Sequence, residues 1–302
     1  MLSAYSPTLK RPTKLSADWY RSFHTIFYLS QVTNLTLLTY IDSFIHQDEV
    51  AIIDNFKDDL IDKKIIRIND ENQSYSIVKR SEFNSIHIED TLRLVIEKVI
   101  QNNGHLNEML LFGMGLELDG NKEKEVEVDL NSLLNATSSK NWYDALRGLL
   151  NVWEFLFLYG NIESTLKSIL KKEGVANEEK LIPSIFEHFD DLEESMGVPK
   201  SSVFDLWSLY TELRNIYAHG HGLITKLAKS NLGGKLDMAR KSIPSFYDNG
   251  GIVITDINGI FNKSNIQKDK FYFLKDDELN IFRNLIINIA ESMDHVHQKL
   301  NG

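Results

Sequence analysis

KNWYDALRGLLNVWEFLFLYGNIESTLKSILKKEG, residues 140–174, places apolar side chains at near-helical intervals: Leu146, Leu149 or Leu150, Trp153, Phe157, Ile162, Leu166 and Ile169. That spacing predicts one long core helix, with Gly174 as its stop. A membrane span is a poor reading of the same text. The apolar run LLNVWEFLFLYGNIE is interrupted by Glu154 and turns polar at Asn161, short of the roughly 20 apolar residues that a bilayer requires.

Downstream, the pattern predicts a shorter helix over 178–195, ending before Gly197 and Pro199. A third helix opens at Ser201 or Ser202, where Asp205 suits a capping position, and buries Leu206, Leu209, Leu213 and Ile216. Beyond Asn231, Gly233, Gly234 and Pro244 predict irregular chain. IVITDI (252–257) and FYFL (271–274) then read as short strands flanking the polar stretch NGIFNKSNIQKDK, a hairpin-like insertion. The last helix begins near Asp276 and Asp277 and packs Ile281, Leu285, Ile289 and Met293. Four helices, two of them long, make a bundle the simplest architecture for this half.

Upstream, residues 18–47 and 48–62 read as two helices, the first carrying Trp19, Phe23 and Phe27. IIRI, NDENQ and SYSIV follow as strand, turn and strand. A helix followed by such a hairpin is the order of a winged-helix module, or of a simple scaffold or dimerisation layer. Another helix is expected over 88–102. The stretch with Gly113, Gly115, Gly120 and NKEKEVEVDLNS cannot pack a core, which places the domain boundary there. The expected fold is therefore mainly α, with an N-terminal, mostly helical region (1–130) and a C-terminal helical bundle (131–302).

Composition narrows the function. The 302 residues include no cysteine, which removes disulfides, thiol catalysis and cysteine-containing zinc sites. A net charge of −10 disfavours a protein that coats nucleic acid, because such binding depends on neutralising many phosphates. The first residues, MLSAYSPTLKRPTKLS, are not followed by an apolar segment, so no secretory signal is read and a cytoplasmic location is expected. Lys10, Arg11 and Lys14 look like a mobile arm.

The stretch that carries chemistry is Arg214-Asn215-Ile216-Tyr217-Ala218-His219 on the third helix of the bundle. Arginine stays charged and its fork suits phosphate oxygens, while a histidine can take or give a proton near neutral pH. Spacing alone is weak, since roughly 0.8 arginine–histidine matches of this kind arise by chance in such a chain, and Arg80 with His87 is another. Requiring asparagine directly after the arginine lowers that expectation to roughly 0.02, and Arg80 then fails.

With that asparagine, and with a long aromatic-rich helix before it, the motif resembles that of the HEPN superfamily of ribonucleases. The resemblance covers the C-terminal half and implies a HEPN-like four-helix bundle carrying Arg214, Asn215 and His219 as the catalytic group. It also implies a homodimer whose two motifs meet across a two-fold axis, and products with 2′,3′-cyclic phosphate and 5′-hydroxyl ends, formed without a metal or other cofactor. Toxins and abortive-infection effectors of bacterial antiphage defence are common in that family. An antitoxin or a phage-derived activator would then be a partner alongside the RNA substrate, with no membrane involved.

Residues four apart share a helix face whereas those five apart diverge by about 140°, so Asn215 neighbours His219 and would fix its imidazole or touch the scissile phosphate. His221 shares the Arg214 face if the helix continues and is an auxiliary or rival histidine. Glu163, on the long helix, is a candidate to orient Arg214. Lys226, Lys229, Lys235, Arg240 and Lys241 accumulate against the single acid Asp237, as an RNA-phosphate track or a solvated helix face.

Other readings stay open. Arg214 could simply bridge Glu212 or Glu163, with His219 closing a loop. The module could bind RNA, a nucleotide or a protein without catalysis. A metal phosphohydrolase would need His219, His221, His295, His297 and Asp294, but histidines two apart diverge by about 200° on a helix. A winged-helix regulator would rest on the N-terminal hairpin alone.

Overall fold

The computed structural model describes residues 7–47, 49–69, 74–79, 82–83, 142–172, 174, 180–220, 222–246, 260–263 and 266–301. They are mainly helical: α1 (Asp18–Gln47), α2 (Glu49–Asp62), α3 (Trp142–Lys172), α4 (Leu181–His188), α5 (Leu192–Met196), α6 (Lys200–His219), α7 (Lys226–Ser242) and α8 (Asp276–Asn301). A 3-10 turn, Ile243–Phe246, follows α7. The only sheet among the described residues is a hairpin of β1 (Ile66–Ile68) and β2 (Tyr75–Ile77), antiparallel with Arg67 opposite Ser76. No described helix is long and apolar enough to cross a membrane.

The chain divides into two compact units, residues 1–37 with 148–302, and residues 38–147. This division runs differently from a cut at residue 130, because the start of the chain packs with the C-terminal helices. Leu9, Tyr20, Phe23 and Phe27 share one buried cluster with Phe155, Leu206 and Phe282. The basic arm expected to be mobile is anchored. The Lys10 backbone N–H donates to Glu291 at 2.7 Å, and the Tyr20 and Tyr28 hydroxyls donate to the carbonyls of Lys10 and Leu9. Asp294 holds the entry to α1, accepting from Ser16 Oγ at 2.8 Å and from the Ala17 N–H at 2.9 Å.

In the smaller unit, Ile53, Leu60, Ile65, Ile66 and Phe83 form a separate small core beneath the hairpin. The helix and hairpin lie where the sequence places them. The helix expected over 88–102 and the glycine-rich stretch after it fall outside the described residues, as do Arg80 and His87.

Several expectations for the larger unit need correction. Trp153 and Phe157 are exposed, at 67% and 53%, and the buried face of α3 runs instead through Val152, Phe155, Leu158, Tyr159, Ile162, Leu166 and Ile169. Leu149 is exposed too, and apolar residues surround that stretch of helix, so periodicity alone does not phase its buried side. The helix expected over 178–195 is two, because Phe189 leaves helical geometry (φ −111°, ψ 84°) and packs against the core. Pro199, not a side-chain cap, precedes α6, and Asp205 accepts from Ser242 Oγ at 2.8 Å instead. The stretch expected to be irregular after Asn231 is helix α7. It is capped by Thr225, whose hydroxyl accepts from the Ala228 N–H, and held by buried Leu232, Leu236 and Ala239. A Cβ at Gly233 or Gly234 would meet no neighbouring atom, so close packing does not require glycine there, and the two glycines weaken the helix without breaking it.

One buried polar group organises this unit. Glu154 on α3 receives Arg283 Nε at 2.8 Å and Nη2 at 2.6 Å from α8, and Asn34 Nδ2 of α1 donates to the same carboxylate. Asn280 Oδ1 accepts the remaining arm of Arg283 at 2.6 Å. Both charged side chains are nearly sealed from water, so each needs the other. Replacing Arg283 by Met alone is expected to destabilise the protein by about 3–5 kcal/mol, measured by denaturant unfolding. Pairing it with Glu154→Leu is expected to recover most of that loss.

Candidate active site

The motif residues occupy the last two turns of α6, which is held by its buried stripe Leu206, Leu209, Leu213 and Ile216. Arg214 is one third exposed and bound on three sides. Its Nη1 donates to Asn215 Oδ1 at 3.0 Å, its Nη2 lies 3.6 Å from Glu163 Oε2 on α3, and its guanidinium sits 5.8 Å from the centre of the Tyr159 ring. Glu163 also contacts Lys167 at 3.3 Å. The carboxylate thus neutralises Arg214 in part and fixes its direction.

Tyr159 forms the platform beneath. Its ring stacks on Trp207 at 5.1 Å and on Phe282 at 6.1 Å, and its hydroxyl lies 2.9 Å from Thr211 Oγ1. Burial, with the Glu163 charge adding to it, pushes the Tyr159 phenol above its ordinary range, so it stays neutral beside the arginine. Sequence reading missed Tyr159. The signal was its spacing of four from Glu163 on one helix, which is visible only once Glu163 is tied to Arg214.

His219 ends α6 and is exposed. Among the described residues it has no hydrogen-bond or ion-pair partner. Asn215, expected beside the imidazole, spends its side-chain oxygen on Arg214. His221 lies outside the described residues. Of the two carboxylates considered for Arg214, Glu163 makes the contact and Glu212 instead holds Lys235 at 2.8 Å.

That ion pair divides the basic run. Lys226, Lys229, Arg240 and Lys241 fall within about 120° around α7, while Lys235 points to the opposite side and is half-buried. Asp237 is paired with Lys263 at 2.5 Å. Four cations therefore share one face of α7, and the fifth joins it to α6. For a metal centre, no group of three or more His, Asp or Glu side chains converges among the described residues. Asp294 is occupied with Ser16, Ala17 and Gln298.

From Gly222 onward the described chain is closely packed. Gly222 has φ +79° and a Cβ there would lie 2.0 Å from the Phe271 ring, so only glycine fits. Leu223 pairs with Phe271 in an isolated antiparallel bridge. FYFL thus pairs with the chain leaving the motif helix, and IVITDI lies outside the described residues. Below it, the fully buried Glu278 carboxylate accepts from the Phe261 N–H at 2.9 Å, the Lys275 N–H at 3.1 Å and the Tyr272 hydroxyl at 2.9 Å. The Tyr217 hydroxyl of the motif helix donates to the Tyr272 carbonyl at 3.0 Å. Phe261, Tyr272 and Lys275 are thereby tied to α8, and Tyr272 also to the end of α6.

No protein-family model matches this sequence, and neither a curated protein nor a solved structure matches it.

Burial raises the Glu278 carboxyl above its ordinary value of 4.5, against the opposing pull of the Lys275 and Phe261 N–H groups and the Tyr272 hydroxyl. A carboxyl with a raised folded pKa binds more protons folded than unfolded, so its contribution falls as pH rises above that ordinary value. Glu278→Gln is expected to be less stable than the parent by about 1–3 kcal/mol, since its amide cannot accept from all these donors. The gap should narrow between acidic and neutral pH, as read from paired thermal melts across that range.

Proposed function

We propose that this protein is a metal-independent endoribonuclease of HEPN type, acting in the cytoplasm as a homodimer. The observation that carries the reading is the pairing, on one helix end, of a held arginine with an exposed histidine. Arg214 is held by Glu163, Asn215 and the Tyr159 ring, and His219 is exposed, with no hydrogen-bond or ion-pair partner among the described residues.

These groups suit transesterification of RNA. The ribose 2′-oxygen attacks phosphorus, its proton passes to a base, the bond from phosphorus to the 5′-oxygen breaks, and that oxygen takes a proton. Cyclic phosphate and 5′-hydroxyl ends result. His219 serves as one proton-transfer group, and Arg214 holds the charge that builds on the phosphoryl oxygens. Two proton transfers at opposite sides of phosphorus need two groups, so a second copy supplies the other histidine across a two-fold axis. Asn215 and Glu163 position the guanidinium. The basic face of α7, with exposed Lys226, Lys229 and Lys241 and half-buried Arg240, guides the RNA backbone, while Lys235 acts as a strut to Glu212. The biological role that accords with this chemistry is a toxin or abortive-infection effector in bacterial antiphage defence, held in check by an antitoxin or released by a phage-derived activator.

A second reading, a noncatalytic module that binds RNA, a nucleotide or a partner, is favoured by one fact. Arg214 already has a carboxylate partner that a phosphate would have to displace.

Purified protein is expected to cleave single-stranded RNA in the presence of EDTA, leaving cyclic phosphate ends, and to leave DNA of the same sequence intact. His219→Ala and Arg214→Ala should each lower the rate by about 10²–10⁴-fold with an unchanged circular-dichroism spectrum. RNA affinity without turnover in the parent protein would favour the binding module, and undiminished cleavage by both variants would refute the site.

A further inference from the structure

A groove of about 500 Å³ runs between α1 and α3 within the larger unit. Its walls are apolar: Leu29, Leu37, Trp153 and Phe157 line it, and all four remain exposed. Its floor is polar and incomplete. Ser30 and Asn34, one turn apart on α1, both line the groove and are buried, and the hydroxyl of Ser30 and the amide oxygen of Asn34 have no hydrogen-bond partner among the described residues.

The orientation of Asn34 is dictated by its surroundings. Its Nδ2 donates to the Glu154 carboxylate, which can only accept, so the unpaired atom is the oxygen. A buried acceptor without a donor is costly, and a ligand bearing an N–H or O–H group would remove that cost. Among the described residues of the lining, net charge on the ligand has nothing to pair with. The Glu154 carboxylate, the one ionised group among them, already balances Arg283. The groove's volume lies in the range of about 300–1,000 Å³ typical of small-molecule sites with apolar walls and a few convergent polar groups. As a macromolecular interface it is small, since the four wall side chains expose on the order of 450 Å², against about 800 Å² per partner in a standard protein complex.

We propose that this groove binds a small, uncharged amphipathic molecule, with its apolar chain or ring between Trp153, Phe157 and Leu29 and a hydroxyl or amide donor on Asn34 Oδ1, next to Ser30. The site shares no residue with the Arg214 centre, so it stands whether or not the protein cleaves RNA.

The test uses two isomers, octan-1-ol, which carries a donor, and 1-methoxyheptane, which does not. Each is titrated into the full-length protein, following tryptophan emission and thermal stability. Octan-1-ol is expected to bind saturably, raise the melting temperature and shift the emission to the blue. The emission change should vanish in Trp153→Phe while the thermal shift remains. The ether should bind at least about fivefold more weakly, the loss of one hydrogen bond. Thr33→Phe, at an exposed position on the groove's rim, should abolish the thermal shift without unfolding the protein. Equal binding of the two isomers, absence of saturation, or an undiminished response in Thr33→Phe would overturn the proposal. So would a concentration-dependent dimer that itself buries Trp153, because the occupant would then be a second copy.

Discussion

The bidentate pair between Glu154 and Arg283 is the contact on which the larger unit turns. It ties the middle of α3 to α8, and Asn34 brings α1 into the same knot. A charge this deep is tolerated only when its partner's geometry satisfies it, so the three helices have one relative setting that leaves neither ion alone. Apolar packing around it is extensive. The ion pair adds to that packing a directional constraint between α3 and α8.

The candidate site inherits that register through aromatic rings. Phe282, the neighbour of Arg283, meets Phe155 at 4.8 Å, stacks on Tyr159 and contacts Tyr210. Tyr159 in turn stacks on Trp207 of the motif helix and lies under Arg214. A displacement of α8 would therefore move the platform on which the guanidinium rests. The second support is the Glu278 cluster, which ties Phe261, Tyr272 and Lys275 to α8 and, through Tyr272 and Tyr217, to the end of α6. His219 ends α6, two residues beyond Tyr217.

Much of the fold was legible because it follows from periodicity. α1, α2, α3, α6, α8 and the hairpin of β1 and β2 lie where their apolar spacing places them. What failed did so for identifiable reasons. Trp153 and Phe157 belong to a segment with apolar residues on both its buried and its exposed side, so its inward side depends on what packs there. Gly233 and Gly234 signalled a break, but contact of Leu232, Leu236 and Ala239 with the core outweighed their poor helix propensity. The N-terminal arm looked mobile because its anchors, Glu291 and Asp294, lie nearly 280 residues away.

The candidate site divides in the same way. The sequence by itself determined that an arginine, an asparagine and a histidine share one helix end, because four- and five-residue spacings on a helix have fixed angular consequences. It also determined that thiol chemistry is absent. Only the tertiary structure decided that Asn215 serves Arg214, that Glu163 and not Glu212 meets the guanidinium, and that Tyr159 supports it. It likewise decided that Lys235 leaves the basic face to join α6. Except for Asn215, which meets Arg214 within α6, those choices are made between side chains on different helices, and they depend on how α3, α6 and α7 are set against one another, which buried charge and aromatic packing decide and local spacing does not encode.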